Sequence, residues 1–346
     1  MKAVATFGVR DVQVVEVPDP VVEDARDAVV RVTTGAICGS DLHIYHGRLD
    51  VEPGFVIGHE YVGVVEEVGP GVTLLEEGDR VVGSFFVACG DCWFCHKGLF
   101  NKCLGVRIFG FGMALGDLPG SQADKVLVPN ADLTLRKIPE GLSDEAALFV
   151  GDILATGYYA ALQGGVTAGD VVAVVGCGPV GLFAQMAALR LFGASKVLAI
   201  DVVPERLQLA EKLGATPVNA DEVDPLDVVL DLTDWRGADV VIEAVGSPDA
   251  LASAFRLPRP SGTVSVVGVF NDDEVPFPIG DLWLKNVSVK MGLCNVQKHM
   301  DELIPLVAAG ILDPTVIVSH TLPLEEAPKG YELFDAREAT KVLLKS

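Results

Sequence analysis

The sequence predicts an α/β protein in two parts, a β-rich region followed by a doubly wound parallel sheet. Three observations point there. Short β-branched runs separated by turn residues fill residues 1 to about 150. From about residue 154, short apolar runs alternate with helix-forming stretches. Between the first such run and the helix after it stands Gly176-Cys177-Gly178-Pro179-Val180-Gly181, a Gly-x-Gly-x-x-Gly turn.

Taken in order, Val12–Val17, Ala28–Val32, Tyr61–Val68, Arg80–Val87 and Lys125–Val128 read as strands, with Gly69-Pro70-Gly71 and Glu77-Gly78-Asp79 among the turns. This spacing suits a partly open antiparallel barrel or sandwich. Val171–Val175, Val197–Ile200, Asp239–Ile242 and Val264–Val267 are continuous apolar runs, as strands buried on both faces should be. Leu182–Phe192 and Pro204–Leu213 read as helices closed by Gly193 and Gly214. Toward the C-terminus, helices are expected near Val296–Ala309 and Leu324–Phe334, and a last strand at Lys341–Leu344.

At 346 residues the chain suits two domains, each with its own core. A net charge of −22 with no Lys/Arg-rich stretch argues against nucleic acid or an anionic membrane as partner. The stretch Val171–Leu189 has Gln185 as its only clearly polar side chain, but three glycines and Pro179 make it strand, turn and helix rather than a membrane span. Met1–Gly8 lacks a long apolar core and a small-residue cleavage site, so no signal peptide is expected and the location is expected to be cytoplasmic.

Seven cysteines in such a chain suggest thiol chemistry or metal rather than disulfides. Cys89, Cys92, Cys95 and Cys103 fall in a segment rich in Gly, Asp and Lys with little apolar material of its own. A tetrahedral zinc with four thiolates would hold it and leave no position for substrate, a structural site. Reduced thiols or an iron–sulfur cluster are the rivals. Cys38, His59 and Asp152 form a dispersed set: thiolate, imidazole and carboxylate, which leave a fourth position open for catalysis. Singly, His59 reads as a structural histidine and Asp152 as a helix cap.

Their neighbourhoods decide between these readings. Gly35-Ala36-Ile37-Cys38-Gly39-Ser40-Asp41-Leu42-His43, Gly58-His59-Glu60, the four-cysteine lobe and Gly151-Asp152-Ile153-Leu154-Ala155-Thr156-Gly157 resemble the zinc-containing medium-chain alcohol dehydrogenases over nearly the whole chain. Asp152 stands where the Cys₂His version of the site has its second thiolate, as in bacterial secondary-alcohol and formaldehyde dehydrogenases. The resemblance implies a GroES-like β-barrel catalytic domain (1–153 and 291–346), a Rossmann domain (154–290) inserted in it, and the active site in the cleft. It assigns Cys38, His59 and Asp152 to a catalytic zinc, with Glu60 behind the metal or as an intermittent fourth ligand. Asp41 would orient His59, Ser40 would take the alcohol proton, and His43 would pass it to solvent. A homotetramer is implied, with a dimer next.

The glycine turn has the context it needs, following a strand and opening a helix. Gly176 permits the tight turn, Gly178 lets backbone approach pyrophosphate, and Gly181 allows close helix–strand packing. Pro179 and Val180 lie within the turn, which opens a helix whose N-terminus favours phosphate. Asp201, 20 residues past Gly181, can accept from the adenosine ribose and would repel a 2′-phosphate. NAD is therefore favoured over NADP; Arg206 is expected to flank the adenine.

The sequence thus reads as a dehydrogenase that uses two zinc ions per chain and moves a hydride from a zinc-bound alkoxide to NAD. Its substrate is a small alcohol or aldehyde; apolar pocket candidates Trp93, Phe109, Ile153 and Cys294 lean toward uncharged alcohols. Polyol, sugar, threonine and glutathione-independent formaldehyde dehydrogenases are the rivals within the class. Outside it stand a zinc-free quinone reductase and a non-catalytic nucleotide-binding protein.

Overall fold

The computed structural model describes residues 1–270, 272 and 274–346. The chain divides into Met1–Ala155 with Asn295–Ser346, and Thr156–Cys294.

In the first unit the strand Ala28–Ile37 is central, pairing antiparallel with Glu60–Val68, Lys125–Val128 and the C-terminal Val342–Lys345. Arg80–Gly83 and then Leu135–Lys137 extend this sheet on one side, and His320–Pro323 on the other. Two register shifts, at Val29/Val30 and Val32/Thr34, bend the central strand as bulges do, and its end delivers Cys38. Tyr61, Phe109, Val30 and Val65 fill one core, while Ile37, Tyr331, Phe334 and Val342 fill a second.

Two elements depart from expectation. Arg80–Val87 is not one strand: it breaks after Gly83 and resumes at Phe86–Val87. The Tyr61 ring lies against Gly83, where a Cβ would come within 2.0 Å of Cζ. Beyond it Ser84 N donates to Thr134 O and Phe85 N to Gly151 O, so the chain leaves the ladder. Leu324–Phe334 splits into a 3₁₀ turn, Leu324–Glu326, and a helix, Ala327–Asp335. Pro328 has no N–H to continue the earlier turn but suits the first turn of a new helix.

The second unit holds a six-stranded, wholly parallel sheet. Its spatial order is Thr216–Asn219, Lys196–Asp201, Val171–Val175, Ala238–Glu243, Pro258–Val266, Ser288–Met291. The chain winds outward from Val171–Val175 in both directions, so the order reverses beside that strand, where ligands bind doubly wound sheets. All five residues of Val171–Val175 are buried. The outermost strands were not apparent from sequence, being short and largely exposed. The helix after Val171–Val175 begins at Pro179, earlier than expected, because proline at its first position needs no N–H partner. Among the described residues no helix is long and apolar enough to cross a membrane.

Candidate active site and metal centres

Three separate chain segments meet at the dispersed cluster. Cys38 follows the central strand, His59 and Glu60 stand where Glu60–Val68 begins, and Asp152 follows the 3₁₀ turn Phe149–Gly151. One ligand atom from each of Cys38, His59, Glu60 and Asp152 lies within 4.8 Å of all the others, and all four residues are buried. His59 Nε2 is 3.2 Å from Asp152 Oδ2, and Cys38 Sγ is 3.7 Å from the same oxygen.

Behind this cluster runs a chain of polar contacts. His59 Nδ1 lies 3.1 Å from Asp41 Oδ1, while Asp41 Oδ2 accepts from Cys38 N at 2.9 Å and from Gln122 Nε2 at 3.2 Å. Gln122 Oε1 in turn accepts from Tyr331 O–H at 2.9 Å. Contact with Asp41 through Nδ1 leaves Nε2 as the ring nitrogen facing Asp152. Ser40 Oγ is 3.3 Å from Cys38 Sγ and 3.2 Å from His59 Nε2. Ser40 and His43 are three residues apart at the start of the short helix Asp41–Tyr45, where His43 N donates to Ser40 O.

The electrostatics call for a cation. Burial lowers the His59 pKa, but Asp41 and Cys38 outweigh burial and raise it well above its ordinary value. Burial, then the Asp152 and Glu60 charges, push the Cys38 thiol up. The pocket thus draws in positive charge and resists a thiolate, and a divalent ion reverses the second effect while supplying the first. Burial, with Arg48 adding to it, lowers His43 and keeps it neutral near pH 7.

Sequence reasoning missed four contributors. Phe85 and Phe111 pack against the His59 ring at 6.2 and 5.2 Å, Gln122 steadies Asp41, and Lys341 pairs with Glu60 at 2.6 Å. None of the four carries a local sequence pattern that marks it. Two pocket candidates are displaced. Trp93 is 62% exposed on the cysteine lobe, and Phe109 lies against Tyr61 in the barrel core. Ile153 is buried beside Asp152, and Cys294 is buried at the end of the second unit.

The compact cluster is built locally. Cys89, Cys92, Cys95 and Cys103 bring their sulfurs within 4.8 Å of one another, and none is in a disulfide. Backbone donors point at these sulfurs: Cys89 N and Gly105 N reach Cys103, and Asp91 N reaches Cys89. Donation from the Cys95 and Leu104 backbone pulls the Cys92 thiol down to about 6. Four sulfurs with amide donors suit a closed, thiolate-bound ion.

In the second unit Gly176 has φ +95°, and a Cβ on Gly181 would sit 1.8 Å from Gly176 O. The turn therefore packs directly on the helix Pro179–Arg190, with Gly178 as its cap. Asp201 ends the next strand. Its Oδ2 accepts from Cys177 N at 2.6 Å, and its Oδ1 from Val202 N at 2.7 Å and Val203 N at 2.9 Å. Arg206 Nη1 lies 4.0 Å from the same carboxylate.

Comparison with known proteins agrees with this geometry. Residues 24–140 match the alcohol dehydrogenase GroES-like domain, and residues 179–309 match the zinc-binding dehydrogenase family. The chain belongs to the zinc-dependent medium-chain alcohol dehydrogenases. It is 40% identical to the zinc-type alcohol dehydrogenase-like protein AdhB of Bacillus subtilis, covering 100% of both chains. The alcohol dehydrogenase TADH of Thermus sp. ATN1 superposes with a TM-score of 0.97 at 48% identity, covering 100% of this chain and 99% of that one. A Sinorhizobium meliloti protein bound to NADP matches at TM-score 0.87 and 30% identity, over 100% of this chain and 99% of that one. An Escherichia coli alcohol dehydrogenase complexed with NADH matches at 0.89 and 27%, again over 100% and 99%. As a member of the family, the chain is an oxidoreductase that acts on alcohols, and its two clusters have the donors expected of two zinc sites.

Proposed function

We propose that the protein is an NAD-linked alcohol dehydrogenase in which Cys38, His59 and Asp152 hold a catalytic zinc. Cys89, Cys92, Cys95 and Cys103 hold a structural one. The observation that carries this reading is the convergence of the dispersed ligand atoms within 4.8 Å, with Ser40 Oγ at 3.2–3.3 Å from two of them. Bound zinc supplies Lewis-acid polarisation of a substrate oxygen, and NAD supplies the hydride acceptor.

The protein's own residues do the rest. Ser40 Oγ takes the proton of the substrate hydroxyl, and neutral His43, on the same helical turn, carries it on to solvent. Asp41 fixes the His59 ring, and Gln122 fixes Asp41. Phe85 and Phe111 keep water from the flank of His59, which strengthens every charge interaction there.

Gly176, Gly178, Pro179, Val180 and Gly181 bind the pyrophosphate at the helix N-terminus. Asp201 already anchors three backbone N–H groups, and a carboxylate's four or so acceptor positions leave room for a ribose hydroxyl. Its charge disfavours a 2′-phosphate. Arg206 stands 4.0 Å from that carboxylate; an arginine there can also take a 2′-phosphate, so the choice of NAD over NADP rests on Asp201. The NADH complex of the E. coli relative supports the same choice, while the NADP complex from S. meliloti marks the alternative.

The proposed domains are residues 1–153 with 291–346 for zinc and catalysis, and 154–290 for the dinucleotide. The substrate is proposed to be a small uncharged alcohol or the matching aldehyde, and the protein a cytoplasmic homotetramer. NADH formation from NAD across primary, secondary and polyhydroxy alcohols plus formaldehyde tests the reading. Turnover that a chelator abolishes supports it and ranks the substrates. No turnover in zinc-replete protein refutes it.

A further inference from the structure

Glu243 is the most deeply buried acid among the described residues of the second unit, and nothing above gives it a task. It ends the strand Ala238–Glu243, which lies beside Val171–Val175 on the side opposite Lys196–Asp201. Among the described residues its carboxylate is held by backbone alone: Oε1 accepts from Val245 N and Gly246 N, each at 2.8 Å. Its carbonyl oxygen accepts from Val267 N at 3.0 Å and from Gly268 N at 3.2 Å. One residue thus fastens the loop after its own strand and the loop after the neighbouring strand, Pro258–Val266.

These loops meet too closely for side chains between them. Gly246 has φ +80°, and a Cβ on it would come within 2.3 Å of Val269 O. A Cβ on Gly268 would come within 2.2 Å of Gly246 N and 2.5 Å of Glu243 Oε2. The first loop also leans on the glycine turn, since a Cβ on Gly176 would meet Val245 Cγ2 at 2.5 Å. Burial raises the Glu243 pKa against the pull of the Gly246, Val245 and Gly268 amides, so a carboxylate here carries a desolvation cost that an apolar residue would avoid.

The place of the two loops in the sheet gives a reason for that cost. Asp201, on one side of Val171–Val175, is the proposed anchor of the adenosine ribose, and the glycine turn at the end of Val171–Val175 is that of the pyrophosphate. A dinucleotide so anchored runs on past the turn with its nicotinamide half, toward the ends of Ala238–Glu243 and Pro258–Val266. Val245 and Val269, 50% and 47% exposed, give the two loops apolar faces. We propose that Glu243 is a positioning residue for the nicotinamide half of the cofactor, locking the two loops at one spacing so that the walls of that subsite stand ready before binding. The proposal rests on the NAD reading given above. Loops already in place need not be ordered by the cofactor, so less of the contact energy is lost on binding.

The test is calorimetric titration with NADH and with AMP, which has the adenosine half alone. Wild type that binds neither refutes the NAD reading before any variant is made. Glu243→Met keeps the length of the side chain and removes the acceptor. Its dissociation constant for NADH should rise about tenfold or more, the scale of hydrogen bonds to a charged acceptor, and that for AMP much less. Glu243→Gln keeps an acceptor oxygen for the Val245 and Gly246 amides and should bind NADH nearly as wild type does. If Glu243→Met does not fold, Gly268→Ala forces the loops apart with Glu243 intact and should produce the same split between NADH and AMP. Wild-type NADH affinity in the folded variants, or equal losses for NADH and AMP, would overturn the proposal and leave Glu243 as a fastener of the fold alone.

Discussion

The two donor clusters have similar dimensions and opposite constructions. The cysteine lobe draws all four donors from Cys89–Cys103, and its sulfurs are held by amides of the same loop. The dispersed cluster draws donors from residues 38, 59, 60 and 152, and its supports from residues 122, 331 and 341. In the lobe a bound ion would organise the chain; at the dispersed site the folded chain already brings the donors together. Mutations should separate the two clearly. One set should abolish turnover with little loss of fold, and the other should loosen a loop.

The largest expected effect is catalytic. His59→Ala removes a ligand and with it several kcal/mol of charge stabilisation, so kcat/KM should fall by about 10³-fold or more. Its melting temperature should stay near that of wild type, as scanning calorimetry can check. Cys95→Ser should do the reverse. The lobe should become cleavable by protease between residues 89 and 104, and one zinc per chain should remain. Equal loss of stability in both variants would erase the distinction.

Asp41→Asn keeps the shape of the side chain while weakening its hold on His59. Metal affinity or activity should drop about 10- to 100-fold. In the nucleotide unit, Asp201→Ala should weaken NAD binding and admit some NADP, measured as the ratio of kcat/KM values. Cofactor preference identical to wild type would remove Asp201 from the site.

How much of this was legible depended on whether a residue's partners lie nearby in sequence. Val171–Val175 and the glycine turn could be read directly, since a continuous apolar run and fixed glycine spacing need no distant information. The cysteine lobe was readable for the same reason. Cys38, His59 and Asp152 became legible only through their motifs, because no spacing rule links residues so far apart. Lys341, 281 residues from Glu60, carried no signal and looked like the first residue of a strand. Phe85 was lost inside an apparent strand, because the break at Gly83 depends on the Tyr61 ring, which arrives from another strand. Trp93 was misread because a large indole suggests a pocket wall, whereas the lobe turns it outward.

The smallest expected effect concerns acid stability of the nucleotide unit. Asp239 accepts from Val171 N and pairs with Arg236 and Arg259, each at 2.6 Å. Burial alone would raise its pKa, but the amide and the two arginines outweigh burial and lower it. A lowered carboxylate stabilises the fold above its unfolded pKa, about 4, and that contribution disappears as pH falls through the folded value. The difference in melting temperature between wild type and Asp239→Asn should hold steady from pH 7 to about 5 and shrink below 4. A gap that ignores pH would mean that Asp239 acts by shape alone.

The most direct test of the central claim removes zinc in steps from the wild-type protein while NADH formation and metal content are followed together. Activity should vanish with loss of the first ion per chain, while the second ion and the fold persist. Full activity after that first ion has gone would contradict the assignment of Cys38, His59 and Asp152 as the catalytic metal site.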